Sequence, residues 1–439
     1  MIFFDEGVRA TRKLIGSASW SVVDQLSSPF ISFALVPYLL LKMGKEQYGV
    51  WILSISFLGL MQFVSLGSSA ALITEISHRQ HSSRQGSVEG LIRCSLAIAL
   101  CGSAVLMILV WAATPFLPPG LPGWGSDSLV QQVVLIAAVI SVSEIDNIFA
   151  NSLRGLARFD VAARIELIVR VIWALAVVIV TAVDGSAIGV LFVTLCLTLF
   201  KAGVKACALQ QMLGSHMPIW RPKFSRSDAY ILVSFGGWAL IHALAGLFFF
   251  SADRWLIAGT LGVASLATYS ICLQLAQIPH TLLSAGLQVI APFVGRMVGK
   301  GNSVKFSYHG MRIAGWAAAL CLLVPIMLTV FTPIILKNWI SPEFSTQNLD
   351  LSILLLLGFT VLCINIPSHF MLVGLGDIRF VSLLNLIAGG VCVALMLSLN
   401  LKNLSEFAEV RIVYGILLLI TWWRLHKKLR SPLPIASVS

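Results

Sequence analysis

About a dozen apolar stretches, most of them 20 residues or longer and joined by short connections, fill almost the whole chain. A backbone crossing hydrocarbon finds no water to bond its N–H and C=O groups, so each stretch of ~20 apolar residues is read as a helix that closes its own hydrogen bonds. The segments fall at 14–41, 47–74, 91–117, 128–152, 165–184, 187–209, 228–252, 260–292, 309–336, 350–374, 379–400 and 406–426. Pro279 and Pro292 predict a kink or break in the eighth. With 58% hydrophobic residues, 11% charged and a mean hydropathy of +0.91, the chain cannot build a water-facing surface, since soluble domains are about 25% charged. The expected fold is an all-α integral membrane protein of about 12 helices, and its function is expected within the bilayer.

The net charge of +11 could suggest nucleic acid. The distribution argues otherwise. With both termini placed in the cytosol, only Lys42, Lys45, Arg254, Lys337, Lys402 and Arg411 of the 30 Lys and Arg residues fall on the outer side. Such a bias is the positive-inside pattern, so the basic excess serves topology and no nucleic-acid partner is expected. The start MIFFDEGVRATRK is charged and no A-x-A exit follows it, so the first apolar run is expected to stay as the first span.

The chain also repeats itself near half its length. Pro37–Gly44 aligns with Trp255–Gly262 at a shift of 218, and Thr114-Pro115 with Thr332-Pro333 at the same shift. Arg93 matches Arg312 at 219, and the Gly155–Phe159 stretch matches Gly374–Phe380 at 219 to 221. Four coincidences in one register predict two parallel six-helix lobes, a transporter plan with its site between the lobes. The expected division is a cytosolic N-terminus at 1–13, an N-lobe at 14–209, a cytosolic linker at 210–227, a C-lobe at 228–426 and a cytosolic tail at 427–439.

Charged groups inside spans cost roughly 2.5–3.5 kcal/mol each and so face a cavity or a partner. Asp24 lies on a face with Ser17, Ser21, Ser28 and Ser32, in steps of three and four. His242 stands at the repeat position, with Asp253 three turns on. The eighth span carries Ser270, Gln274, Gln277, Thr281, Ser284 and Gln288 on one face; amides and hydroxyls both donate and accept, which suits sugar hydroxyls. The sixth carries Thr194, Thr198, Lys201 and Lys205. Snorkelling to the interface accounts for Lys205, while Lys201 is deep enough to meet an anion. Arg170 and Arg254 are similar cases at the ends of their spans. Glu144 shares a face with Asn147 and Asn151, and Asp146, rotated away, is expected to pair with Arg170 or Arg154.

These residues sort into cavity cations (Arg170, Lys201, Arg254), polar walls (Ser21, Ser28, Gln274, Gln277, Ser284, Gln288) and groups for protonation or coupling (Asp24, Glu144, Asp146, His242). Bland readings compete with each: interhelical hydrogen bonds for the polar stripes, snorkelling for the cations. No catalytic set, metal-ligand spacing or phosphate-binding glycine loop is present, so neither catalysis nor a metal or other cofactor is expected. The eight cysteines form no CxxC pair and read as apolar packing residues.

Leu41-Lys42-Met43-Gly44-Lys45-Glu46-Gln47-Tyr48-Gly49-Val50-Trp51, followed by Gly59-Leu60 and Leu66-Gly67, resembles the N-terminal signature of Wzx-type polysaccharide (O-antigen) flippases. The Asn151–Phe159 stretch resembles a second recurrent motif of that family. The resemblance implies membership of the multidrug/oligosaccharidyl-lipid/polysaccharide (MATE-like) exporter superfamily, a pair of six-helix bundles working by alternating access. It further implies an undecaprenyl-pyrophosphate-linked oligosaccharide as cargo, moved to the periplasmic leaflet of the bacterial inner membrane. Membrane lipid, and a polysaccharide polymerase or chain-length protein, are the partners it suggests. No site residue is carried over from the family.

The nearest rival is a cation-coupled multidrug exporter of the same superfamily. A cationic drug would want acidic and aromatic walls, whereas basic and amide-rich faces suit an anionic glycan. A membrane polymerase or glycosyltransferase would need a larger outer loop than the dozen or so residues near 117–128 and 337–349. A membrane scaffold would have no use for deep polar stripes. A monomer is expected, both lobes being in one chain.

Overall fold

The computed structural model describes residues 2–81, 87–113, 126–214, 218–299 and 303–430, with side chains beginning at Ser27. Ser21 and Asp24 precede that point, and the side chain of His242, inside α8, also lies outside the described residues. In chain order the helices are α1 Ile2–Ser56, α2 Met61–Val64, α3 Ser68–His81, α4 Val88–Ala113, α5 Ser126–Gly155, α6 Phe159–Val183, α7 Ala187–Leu213 and α8 Arg226–Phe250. Then follow α9 Ala252–Leu261, α10 Val263–Leu287, α11 Ile290–Gly299, α12 Ser303–Trp339, α13 Pro342–Gly374, α14 Ile378–Ser398, α15 Leu404–Leu418 and α16 Ile420–Arg430.

This is an all-α membrane protein, and among the described residues nine helices are long and apolar enough to cross a bilayer. Three of the expected spans fall short for visible reasons. The second is interrupted by a 3₁₀ turn at Phe57–Leu60 and by positive φ at Leu66 and Gly67, which leaves α3 only 14 residues. The twelfth breaks between α15 and α16. The third case, α10, is 25 residues long and carries no charge. Its serines and glutamines lower its hydropathy instead.

The boundaries also moved. No loop separates the first two predicted spans: α1 runs through with a kink at Gly44, whose φ of +74° only glycine adopts cheaply. The expected break in the eighth span falls between Leu287 and Ile290, while Pro279 sits inside α10. The outer connection predicted at 337–349 is mostly helix, because Ser341 caps α13 by accepting from the Phe344 N–H at 3.0 Å and Pro342 opens its first turn.

The chain forms two compact units, Met1–Ala243 with Gly262–Ala264, and Leu244–Leu261 with Ser265–Ser439. In the first, α5 is the central helix. Its apolar window is 56% buried against 17% for α4 and α6, so α5 is surrounded by protein while its neighbours turn Trp111, Leu175, Ile179 and Val183 outward, as lipid-facing helices do. The core joins Leu72, Ile76, Leu91, Ile148, Leu153 and Leu209 from α3, α4, α5 and α7. The segment after α7 is strapped to the same unit: Arg93 Nε donates to the Arg221 carbonyl at 2.7 Å, and Arg79 bridges Glu75 (3.1 Å) and Asp228 (2.7 Å).

In the second unit α13 has the matching place, 56% buried among α11, α12, α15 and α16. The sequence repeat has a physical cause here. Both α5 and α13 end in a Schellman cap: Arg158 N–H reaches the Leu153 carbonyl and Asp377 N–H the Leu372 carbonyl, each at 2.9 Å, with positive φ at Ala157 and Gly376. Both also end on a glycine because a helix crosses there. A Cβ on Gly155 would lie 2.9 Å from Ile76 Cβ, and one on Gly374 2.5 Å from the Ala291 carbonyl. Gly374→Ala is therefore expected to cost about 1–3 kcal/mol through overpacking, read as a lowered melting temperature in detergent. An unchanged melting temperature would mean that α11 yields.

Candidate functional site

A pocket of about 330 Å³ opens in the first unit among α1, α5, α6 and α7. Its floor is charged. Glu166 and Arg170 stand four residues apart on α6, and Lys201 and Lys205 four apart on α7, so each pair shares one helix face. Asp146 of α5 completes the set. Lys201 Nζ lies 3.0 Å from Asp146 and 3.1 Å from Glu166; Lys205 Nζ lies 2.8 Å from Asp146 and 2.5 Å from Glu166. Arg170 reaches Glu166 at 4.0 Å and donates to Ser27 Oγ. Three cations against two carboxylates leave one positive charge in excess.

The walls are aromatic and hydroxylated. Trp51 and Trp173 stack with ring centroids 6.3 Å apart, and Trp173 Nε1 donates to Thr194 Oγ1 at 2.9 Å. The buried Nε1–H of Trp51 has no hydrogen-bond partner among the described residues. Ser28, Ser32, Ser143 and Thr198 add hydroxyls to the lining. Indole faces, hydroxyls and ammonium groups together can hold a molecule that carries both sugar-like hydroxyls and anionic oxygens.

Of the residues selected from sequence, Arg170, Lys201 and Ser28 line this pocket. Asp146 sits behind it, and its partners are Lys201 and Lys205 rather than Arg170 or Arg154. Arg154 instead donates to Asn151 Oδ1 at 3.1 Å. Lys205 does not snorkel: its side chain is fully buried and held by two carboxylates. Glu144 is also fully buried, with Ser65, Ser69 and Asn147 as its polar neighbours.

Arg254 belongs to the second unit, next to Asp253, whose carboxylate accepts its backbone N–H at 2.8 Å. Gln274, Gln277 and Ser284 along α10, and Gln288 just past its end, are half-buried in that unit too and do not line this pocket. Sequence reasoning passed over Glu166, Trp51 and Trp173. The one signal for Glu166 was its four-residue step to Arg170 opposite the Thr194–Lys205 stripe.

A family model described as polysaccharide biosynthesis protein matches residues 42–339, well over half of the chain. The chain belongs to the polysaccharide biosynthesis protein family. Comparison with curated proteins returns no match. Among solved structures, a MATE transporter from Vibrio cholerae superposes with a TM-score of 0.66 at 16% identity, covering 96% of this chain and 97% of the other. A MATE protein in the straight conformation gives 0.64 at 14% over 95% of both chains. A MOP-superfamily transporter from Pyrococcus furiosus gives 0.62 at 15%, over 94% of this chain and 95% of that one. The fold of this family member is therefore MATE-like. The same fold is found in the multi-pass MATE and MOP-superfamily transporters.

Proposed function

We propose that this protein is a flippase that carries undecaprenyl-pyrophosphate-linked oligosaccharide units from the cytosolic to the periplasmic leaflet of the bacterial inner membrane, with both termini in the cytosol. The observation that carries the reading is the cation-rich, tryptophan- and hydroxyl-lined pocket in a member of a polysaccharide biosynthesis family. A diphosphate entering a low-dielectric site needs fixed positive charge and N–H donors, which Arg170 and Lys201 supply at the lining. Sugar rings offer C–H faces to Trp51 and Trp173 and hydroxyls to the serines and threonines. The polyprenyl tail needs no pocket, since it stays in lipid.

A MATE-type drug exporter is the competing reading, and the charge excess opposes it, because a cationic drug would meet like charge. For the Pyrococcus furiosus transporter, a binding pocket of reverse polarity suggests a different function; the same logic applies to this pocket. Alternating access and coupling to a cation gradient belong to the proposal. Asp24, Glu144 and His242 are the groups for coupling, while Asp146 is committed to two lysines. On the second unit, Arg254 and the Gln274–Gln288 face are proposed to serve the glycan.

Deletion of the gene in its host is expected to strand lipid-linked units on the cytosolic face and remove surface glycan. Normal glycan with new drug sensitivity would overturn the reading. Lys201→Gln leaves Lys205 to hold both carboxylates, and export should fall about 10- to 100-fold, the scale of one lost charged hydrogen bond. Full export by a normally inserted Lys201→Gln protein would remove this pocket from the path.

A further inference from the structure

We infer that Glu166 is an internal counter-anion, occupying the pocket's cations when the carrier is empty and ceding them to the anionic oxygens of the cargo. The inference rests on the function proposed above and goes further, since it assigns a residue whose role is to compete with cargo. Three observations carry it. Glu166 is the carboxylate that lines the pocket, whereas Asp146 lies behind the lysines, its side chain 7% exposed. The two cations at the lining, Lys201 and Arg170, are both already turned to Glu166, at 3.1 and 4.0 Å. Beneath them Lys205, wholly buried, holds Glu166 Oε1 at 2.5 Å and Asp146 at 2.8 Å.

An arriving diphosphate thus finds no free cation; it finds cations bonded to a carboxylate of its own charge sign. Exchange of partners solves this without stranding a buried charge. The phosphate oxygens take the Lys201 and Arg170 N–H donors, while Glu166 keeps its bond to Lys205. No covalent bond changes. When cargo leaves, Glu166 returns, and the empty pocket again holds +1 rather than the +2 it would carry without a carboxylate at 166. Uncompensated charge in a low-dielectric site is costly, so the returning carboxylate is what lets the empty carrier reset. Glu166 is a positioning residue, acting through Lys201 and Arg170.

The prediction is a split between affinity and turnover. Geranyl pyrophosphate, a soluble short-chain polyprenyl diphosphate, is titrated into the purified full chain in detergent by calorimetry. Glu166→Gln should bind it about tenfold tighter, one opposing charge having been removed at hydrogen-bond range. Export in cells should fall, and Glu166→Asp should restore both toward wild type. A purely structural Glu166 could not raise affinity when replaced. Unchanged or weaker binding by Glu166→Gln, against saturable wild-type binding, overturns the inference and leaves the proposed function standing. Absence of binding by folded wild type and variant alike overturns both. If Glu166→Gln fails to fold, the charge-balanced Glu166→Gln/Lys205→Met protein takes its place; binding is still expected to be tighter than wild type, by less than about tenfold because the net charge is unchanged while the competing carboxylate is gone, and the same results overturn the inference.

Discussion

Lys205→Met is expected to destabilise the protein by about 3–5 kcal/mol, the cost of removing one partner from a buried ion pair. The ammonium is fully buried and sits 2.8 Å from Asp146 and 2.5 Å from Glu166. Without it Asp146 keeps only Lys201, at 3.0 Å, and Glu166 keeps Lys201 at 3.1 Å and Arg170 at 4.0 Å; the Lys201 side chain is 19% exposed. Methionine fills most of the volume, so the loss reports charge rather than a cavity. Lys201→Met should cost less, because its site opens to the pocket and water can replace part of the pairing. The measurement is unfolding in mixed micelles of increasing denaturing detergent. A double-mutant cycle with Asp146→Asn should show coupling of about 0.5–3 kcal/mol. A Lys205→Met loss below about 1 kcal/mol, the range of an exposed pair, would mean that water reaches the network.

This network marks the boundary of what the sequence discloses. Membrane class follows from run length and hydrocarbon thickness, though three of the dozen expected spans fall short among the described residues, and one motif of the repeat near 219 residues proves to be a helix cap with a close-approach glycine, at Gly155 and Gly374. Breaks inside helices were harder to see. Leu66 and Gly67 interrupt an apolar run through backbone conformation alone, with no proline to announce it. The site was legible only in part. Periodicity put Lys201 and Lys205 on one face of α7 correctly, but what that face meets depends on which helices become neighbours. Lys205 was read as a snorkelling residue because its partners are 39 and 59 residues away in the chain. Asp146 was matched with arginines nearby in sequence, and its lysines come from α7. A lone glutamate near the start of a span, as Glu166 is, carries no mark of importance until α7 is laid beside it.

The same limit hid the second unit's charge cluster, which yields the other large effect. Arg411, assigned from sequence to the outer side as a topology residue, is buried, and its Nη1 donates to Asp253. Asp253 also accepts from the Tyr269 hydroxyl at 2.8 Å. The guanidinium lies 4.4 Å over the Phe249 ring and 5.2 Å over Phe359, so planarity is used as well as charge. Tyr414 stacks on Phe249 and donates to Asn385 Oδ1 at 2.7 Å, which extends the cluster to α14. Arg411→Met leaves the Asp253 carboxylate buried with one phenol and one backbone N–H, and about 3–5 kcal/mol should be lost. Arg411→Lys should recover little, since an ammonium cannot lay a planar face over two rings while it donates to the carboxylate. Replacing both partners, Asp253→Leu with Arg411→Met, removes the buried charge altogether and should restore most of the stability, as apolar substitutes for a buried pair commonly do. Unfolding midpoints for the four proteins decide the matter. If the double variant is as unstable as Arg411→Met, what holds α9 to α15 is the shape and hydrogen bonding of the pair, and its charge is incidental.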